Sequence, residues 1–136
     1  MAIAHYSRAI STACVTAINN AINGGSGQGE IRFYTAPMPS ATTVGISSQI
    51  LLGTCLCSDP AGIESGGTLT FDPITTDPIA DNNGTAAWVR IVDSASTVCM
   101  DLDVTVTGGG GYIQMPTTTI VAGGPIAFTS FTVTMP

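Results

Sequence analysis

There is no lysine in this chain, and arginine stands at only three positions, Arg8, Arg32 and Arg90. Nine acidic residues outnumber them, for a formal net charge of −6. Affinity for nucleic acid comes largely from Lys and Arg contacts that release counterions from phosphate. That basic footprint is missing, which excludes DNA and RNA as partners. Charged residues of both signs make up 9% of the chain, against about 25% in an ordinary soluble domain. The surface must therefore be built from Thr, Ser, Gly, Asn and Ala. A surface so poor in charge resists association weakly and suits a protein that works inside an assembly.

Other shortages exclude chemistry. His5 is the only histidine, and it stands close to the first residue. A hydrolase triad needs a histidine held between a nucleophile and an acid, and this position offers no such support. The glycine run 108–111 cannot act as a phosphate loop, because that motif requires a lysine. No apolar run approaches the length that crosses a membrane; Ile50-Leu51-Leu52 is typical of what exists. Residues 1–23 are interrupted by Ser7, Arg8, Ser11, Thr12, Thr16 and Asn19, so they contain no signal-peptide core. Cys14, Cys55, Cys57 and Cys99 are accordingly expected as reduced, buried small hydrophobes made in a cytoplasm. Cys55 and Cys57 lack two further ligands at zinc spacing. Asp59, Glu64, Asp72 and Asp77 lack the ligand order of a calcium loop. Asp101 and Asp103 share one strand face, where a solvated pair or a partner for Arg90 is commoner than an acid–base couple. No metal, no cofactor and no enzymatic activity are expected.

What the chain does contain is organised around residues 84–106. From Val98 the apolar residues fall on every second position: Val98, Met100, Leu102, Val104 and Val106. Cys99, Asp101, Asp103 and Thr105 alternate with them, the period of a strand with one dry face. A preceding strand over 85–92 and a four-residue loop, 93–96, set Ile91 opposite Val98, Val89 opposite Met100 and Ala87 opposite Leu102. The other face then carries Trp88 opposite Asp101, with Arg90 diagonal to that carboxylate. Trp88 needs a cover, either the N-terminal helix or a second subunit.

That helix is predicted over 5–23. Tyr6, Ile10, Ala13, Cys14, Ala17, Ile18 and Ala21 recur at spacings of three and four, with Arg8, Thr12, Thr16, Asn19 and Asn23 opposite and Gly24-Gly25 as the stop. Val15 and Ile22 lie beside the main stripe, an edge suited to a second subunit. Further strands are expected at 31–35, 49–57, 68–71 with an extension through Ile74 and Ile79, 112–115, an edge piece in 117–124, and 126–135 with a bulge at 129–130. The turns are Asp59-Pro60-Ala61-Gly62 and Asp81-Asn82-Asn83-Gly84. The glycine run reads as a flexible crossing. The expected fold is mainly β: an antiparallel, jelly-roll-like β-sandwich over 26–136 with one N-terminal α-helix, 1–25, in the same single domain. Candidate interface residues are Val15, Ile22, Trp88 and Arg90.

From residue 50 onward the sequence resembles a family of small tailed-bacteriophage virion proteins. The resemblance is carried by Ser58-Asp59-Pro60-Ala61, Gly67-Thr68-Leu69-Thr70, the Gly-Thr-Ala-x-Trp-x-Arg-x-x-Asp-Ser hairpin from Gly84 to Ser94, Thr118-Thr119-Ile120 through Gly123, and Thr129 to Thr134. Cys55 and Cys57 before the turn, and the four-glycine stretch, depart from the pattern. The resemblance implies a structural virion protein, with head decoration or cement as the favoured role. Its partners would be the major capsid protein and further copies of itself, a trimer among the arrangements. It would sit on the outer head surface after synthesis in the bacterial cytoplasm. A tail or connector component, or a host- or glycan-binding module, are the rival roles. The reduced state of the cysteines gives the first testable outcome: denatured without reductant, the protein titrates with four free thiols, and fewer would show a disulfide.

Overall fold

The computed structural model describes residues 4–126 and 131–135. Helix α1 spans Arg8–Ile22. Among the described residues ten strands follow: β1 Glu30–Tyr34, β2 Leu51–Leu56, β3 Gly62–Ser65, β4 Thr68–Phe71, β5 Gly84–Thr85, β6 Trp88–Val92, β7 Val98–Val106, β8 Ile113–Met115, β9 Thr119–Ile120 and β10 Thr132–Thr134. They form a five-stranded sheet in the order β2-β1-β6-β7-β8, a three-stranded sheet β10-β4-β3 and a pair β5-β9. The protein is thus mainly β with one helix, as the sequence pattern predicts. The expected bulge at 129–130 lies outside the described residues.

One pairing departs from an antiparallel arrangement: β7 and β8 run parallel, with Val104 opposite Ile113 and Val106 opposite Met115. Parallel neighbours ordinarily need a crossover of a dozen or more residues. Here residues 107–112 suffice, because glycine occupies 108–111. Gly108 and Gly110 take positive φ, 87° and 83°. Gly109 and Gly111 lie where an added Cβ would come within 2.7 and 2.8 Å of the Thr105 side chain. The crossing is tied down as well: the Gly111 amide donates to Thr105 Oγ1 at 3.0 Å and the Gly108 amide to Gln114 Oε1 at 3.0 Å. A bonded turn stands where a flexible crossing was expected.

The central hairpin keeps its expected faces but not its expected register. Ile91 lies opposite Met100, Val89 opposite Leu102, Arg90 opposite Asp101 and Trp88 opposite Asp103. This is a slide of two residues, which preserves the side of every residue. Asp93 is the cause. Its Oδ1 accepts from the Ala95 and Thr97 amides at 2.9 and 2.8 Å, while its own amide donates to the Thr97 carbonyl. Ser96 takes a left-handed φ of 67°, so the loop proper is Ser94, Ala95 and Ser96, the turn-plus-αL form of hairpin connection. A register shift between Ile91 and Val92 supplies the rest.

Strand β3 was not expected. The two-residue turn Gly66-Gly67, with φ of 59° and 81°, joins it to β4 and pairs Ser65 with Thr68. Gly-Gly is a recognised signal for this mirror-image turn. The predicted extension of β4 through Ile74 and Ile79 appears only as isolated bridges, Leu56 to Thr75 and Asp77 to Ile126.

The core is one cluster in which Ile31, Phe33, Val89, Ile91, Leu102 and Val104 of the large sheet meet Leu69, Phe71 and Val133 of the small one and Val15 and Ile22 of the helix. Helix α1 begins at Ser7, whose hydroxyl accepts from the Ile10 amide, and its stop lies at Asn23 with Gly25 in the left-handed region at φ 77°. The helix docks on a face rotated away from the predicted stripe, of which Ile18 still packs against the core. Ser11, Val15, Asn19 and Ile22 are buried. Polar groups make the contact with the β3–β4 hairpin: Arg8 Nη1 donates to the Gly66 carbonyl, Thr12 Oγ1 accepts from the Gly67 amide, Asn19 Nδ2 donates to the Gly62 carbonyl at 3.0 Å and Asn23 Oδ1 accepts from the Ala61 amide at 2.8 Å. Asn19→Ala should therefore cost about 1–3 kcal/mol, since it strands a buried carbonyl, while Ala17→Ser on the outer face should stay within about 0.5 kcal/mol of neutral. Urea unfolding of both variants checks which face is docked.

Candidate functional site

Strand β6 is buried along its whole length. Val89 and Ile91 enter the core; Trp88 and Arg90 point the other way and build a second cluster. Arg90 Nε and Nη2 donate to Asp101 Oδ1 and Oδ2 at 2.7 and 2.8 Å, a two-pronged pair with both side chains 7% exposed. Its remaining arm, Nη1, donates to the Val44 carbonyl at 3.0 Å. The guanidinium carbon lies 5.4 Å from the Trp88 ring centroid, within cation–π reach. Trp88 also stacks on Tyr34, centroids 4.8 Å apart, and its Nε1 donates to the Thr35 carbonyl at 2.9 Å. Arg32 lies directly opposite Arg90 on β1, an unfavourable juxtaposition of like charges. It is turned aside to Glu30 at 2.9 Å and Ser96 Oγ at 2.9 Å. The hydrogen bonds to Asp101 push the Arg90 pKa further up, so the guanidinium keeps its charge.

What these side chains hold is the segment 35–50. It connects β1 to β2 with no regular structure of its own, longer than the 12–15 residues or so at which an unstructured loop usually has a task. Its ends are zipped: the Thr35 amide donates to the Ile50 carbonyl and the Ile50 amide to Thr35 Oγ1. Gln49 Nε2 donates to the Pro37 carbonyl at 2.6 Å. Backbone carbonyls of Thr35 and Val44 face inward to Trp88 and Arg90, while Met38, Val44, Ile46 and Ile50 are exposed. No charged residue occurs from 33 to 58. The result is an anchored, uncharged surface on which those four apolar side chains stand among the hydroxyls of Ser40, Thr42, Thr43, Ser47 and Ser48.

The chain matches no family model, no curated protein and no solved structure. Its function is therefore read from its own residues. Of the four candidate interface positions, Val15 and Ile22 are fully buried in the chain's own core and keep no surface for a second subunit. Trp88 is covered, at 0% exposure, but not by the helix, which packs mainly on β3 and β4. Trp88 lies against Tyr34 and Arg90 and bonds the Thr35 carbonyl. Arg90 is likewise buried and reaches the surface only through the loop it holds. Met38, Val44, Ile46 and Ile50 were missed because a stretch rich in Pro, Ser and Thr has no periodicity; its lack of charge was the available signal.

The reactive groups are committed elsewhere. Asp101 belongs to Arg90, and Asp103 accepts from the Tyr112 amide at 3.0 Å. All four cysteines are free thiols. Burial pushes Cys55 up to about 11 and Cys57 up to about 12, which disarms both as nucleophiles. Among the described residues no group of three His, Cys, Asp or Glu side chains is placed to share a metal ion. A shallow recess of about 320 Å³ is lined by Gly110, Gly111, Tyr112, Thr132 and Thr134.

Two outcomes follow from this chemistry. Arg90→Met leaves the Asp101 carboxylate buried and unpaired, and should lower stability by about 3–5 kcal/mol, with most of it regained in the Arg90→Met/Asp101→Leu double variant. The raised thiols stabilise the fold fully below the pH at which the unfolded thiols ionise, and that contribution is lost as pH rises through about 11 and 12. Unfolding free energy should thus fall on the alkaline side, and Cys55→Ala/Cys57→Ala should flatten the slope.

Proposed function

We propose that this chain is a structural protein of a tailed-bacteriophage virion, a head decoration or cement protein that binds between subunits of the major capsid protein on the outer head surface. The observation that carries this is the 35–50 segment, an uncharged surface that exposes Met38, Val44, Ile46 and Ile50 and is braced from behind by Trp88 and Arg90. Bracing matters because a segment ordered beforehand loses less entropy on docking. A ligand that grips only the assembled shell stabilises that shell by mass action. Net charge of −6 suits the outer face of a head better than its DNA-filled interior. The two larger sheets, with the core between their apolar faces, are read as the layers of a jelly-roll-like sandwich, and further copies of the chain, a trimer among the arrangements, as neighbours on the shell.

A tail or connector location would use the same surface. A glycan-binding role has one observation in its favour: Tyr112 is exposed beside the Thr132 and Thr134 hydroxyls at the rim of the recess.

Add-back to phage heads depleted of the protein tests the proposal. Wild-type protein should rebind and raise the temperature at which heads rupture. Val44→Asp/Ile46→Asp should keep its circular dichroism yet bind roughly tenfold or more weaker, the cost of a charge in an apolar contact. Undiminished binding by that variant would refute the 35–50 segment as the docking surface, and density for the protein on the tail alone would refute the head role; glycan binding lost in Tyr112→Ala would favour the rival.

A further inference from the structure

We propose that Asn83-Gly84 is a self-modification site, where the Asn83 side-chain amide is hydrolysed through a succinimide, while the same dipeptide at Asn23-Gly24 is kept unreactive by the fold. Asn-Gly occurs at these two places in the chain. The reaction needs only water. The Gly84 nitrogen gives up its proton to hydroxide and attacks Asn83 Cγ. The N–Cγ bond forms, the Cγ–Nδ2 bond breaks, and Nδ2 departs as ammonia. Water then opens the ring. Addition at Cγ breaks its bond to the Gly84 nitrogen and leaves aspartate. Addition at the main-chain carbonyl breaks the original peptide bond and leaves isoaspartate, with the chain running through Cγ. Glycine favours the attack because no Cβ stands beside the nitrogen.

The two sites differ in what holds them. Asn23 is half-buried at the end of α1. Its Oδ1 accepts from the Ala61 amide at 2.8 Å and its Nδ2 donates to Asn19 Oδ1 at 3.2 Å. The Gly24 amide, which would have to attack, donates to the Ala21 carbonyl at 3.1 Å. A Cβ on Gly24 would come within 2.9 Å of Asp93 Oδ2, so a carboxylate also opposes negative charge on that nitrogen. Asn83 is exposed, and its Oδ1 accepts from the Ala122 amide at 2.8 Å. Gly84 opens β5, which pairs with β9 over only two residues; so short a ladder opens at little cost. The fold itself imposes the reactive pair. A Cβ at Gly84 would come within 2.9 Å of the Leu52 and Thr35 side chains, and Asn83 ties its loop to the turn 121–124. Conversion adds a negative charge to a −6 chain. The new carboxylate stands two residues from exposed Asp81, whose amide donates to the Leu52 carbonyl at 2.7 Å, where the 35–50 segment enters β2. The inference does not depend on the virion role.

Peptide mapping of the intact protein, incubated folded in warm, mildly alkaline buffer, tests it. With no lysine present, trypsin cuts after Arg8, Arg32 and Arg90, so Asn23 falls in peptide 9–32 and Asn83 in peptide 33–90. Aspartate and isoaspartate should accumulate at residue 83, and conversion of Asn23 should be roughly tenfold or more slower, since it requires the helix end to open. In urea the two rates should converge. Asn83→Gln, whose longer side chain closes a ring far more slowly, should abolish the conversion in peptide 33–90. No conversion in that peptide, conversion that maps to Asn82 or survives Asn83→Gln, or equal rates at Asn23 and Asn83 in the folded protein would overturn the proposal.

Discussion

A buried guanidinium has to be satisfied on all sides, and at Arg90 that requirement joins three parts of the chain. Two arms go to Asp101 on the neighbouring strand and one to the Val44 carbonyl of the 35–50 segment. Burying an ion pair gains little in net stability, because desolvation offsets most of the attraction. What it does supply is position. The pair holds Arg90 opposite Asp101 in the central hairpin, and the third arm ties the long segment to that hairpin at Val44. Among the described residues no buried side-chain nitrogen or oxygen lacks a partner, so this constraint is met without an orphaned group.

The faces of the hairpin were legible because they depend only on a period of two, and a two-residue slide leaves that period intact. The register was not legible. It is decided by Asp93, whose carboxylate closes the turn on the amides of Ala95 and Thr97, and by a bulge that no local pattern announces. The glycine run 108–111 shows the same limit. Composition marked a crossing, but only the parallel pairing of β7 with β8 gives each glycine its reason.

The helix was legible in existence, while its docked face is rotated from the predicted stripe and keeps only Ile18 of it against the core. Alanine counts as apolar in a periodicity yet brings little surface to bury, so Ala13, Ala17 and Ala21 made a stripe without much driving force. The docking face instead offers Asn19, Asn23, Thr12 and Arg8 to backbone groups at the ends of β3 and β4, where a polar side chain is worth more than an alanine methyl. That rotation leaves Ile10 outside, and Tyr6, which precedes the N-cap, is exposed as well. Surface, then, is where the chain keeps its unspent apolar groups, on the helix and on the 35–50 segment, while its acids and thiols are used in turns, in the Arg90 pair and in the core.

The central claim is that Arg90 braces an apolar surface and not merely a sheet. Amide hydrogen exchange in Arg90→Lys tests it most directly. Lysine keeps a charge for Asp101 but lacks the fork that also reaches Val44. Faster exchange confined to residues 41–50, with strands β6 and β7 as protected as in the wild type, is the result the account predicts. Equal exchange of residues 41–50 in the two proteins would contradict it.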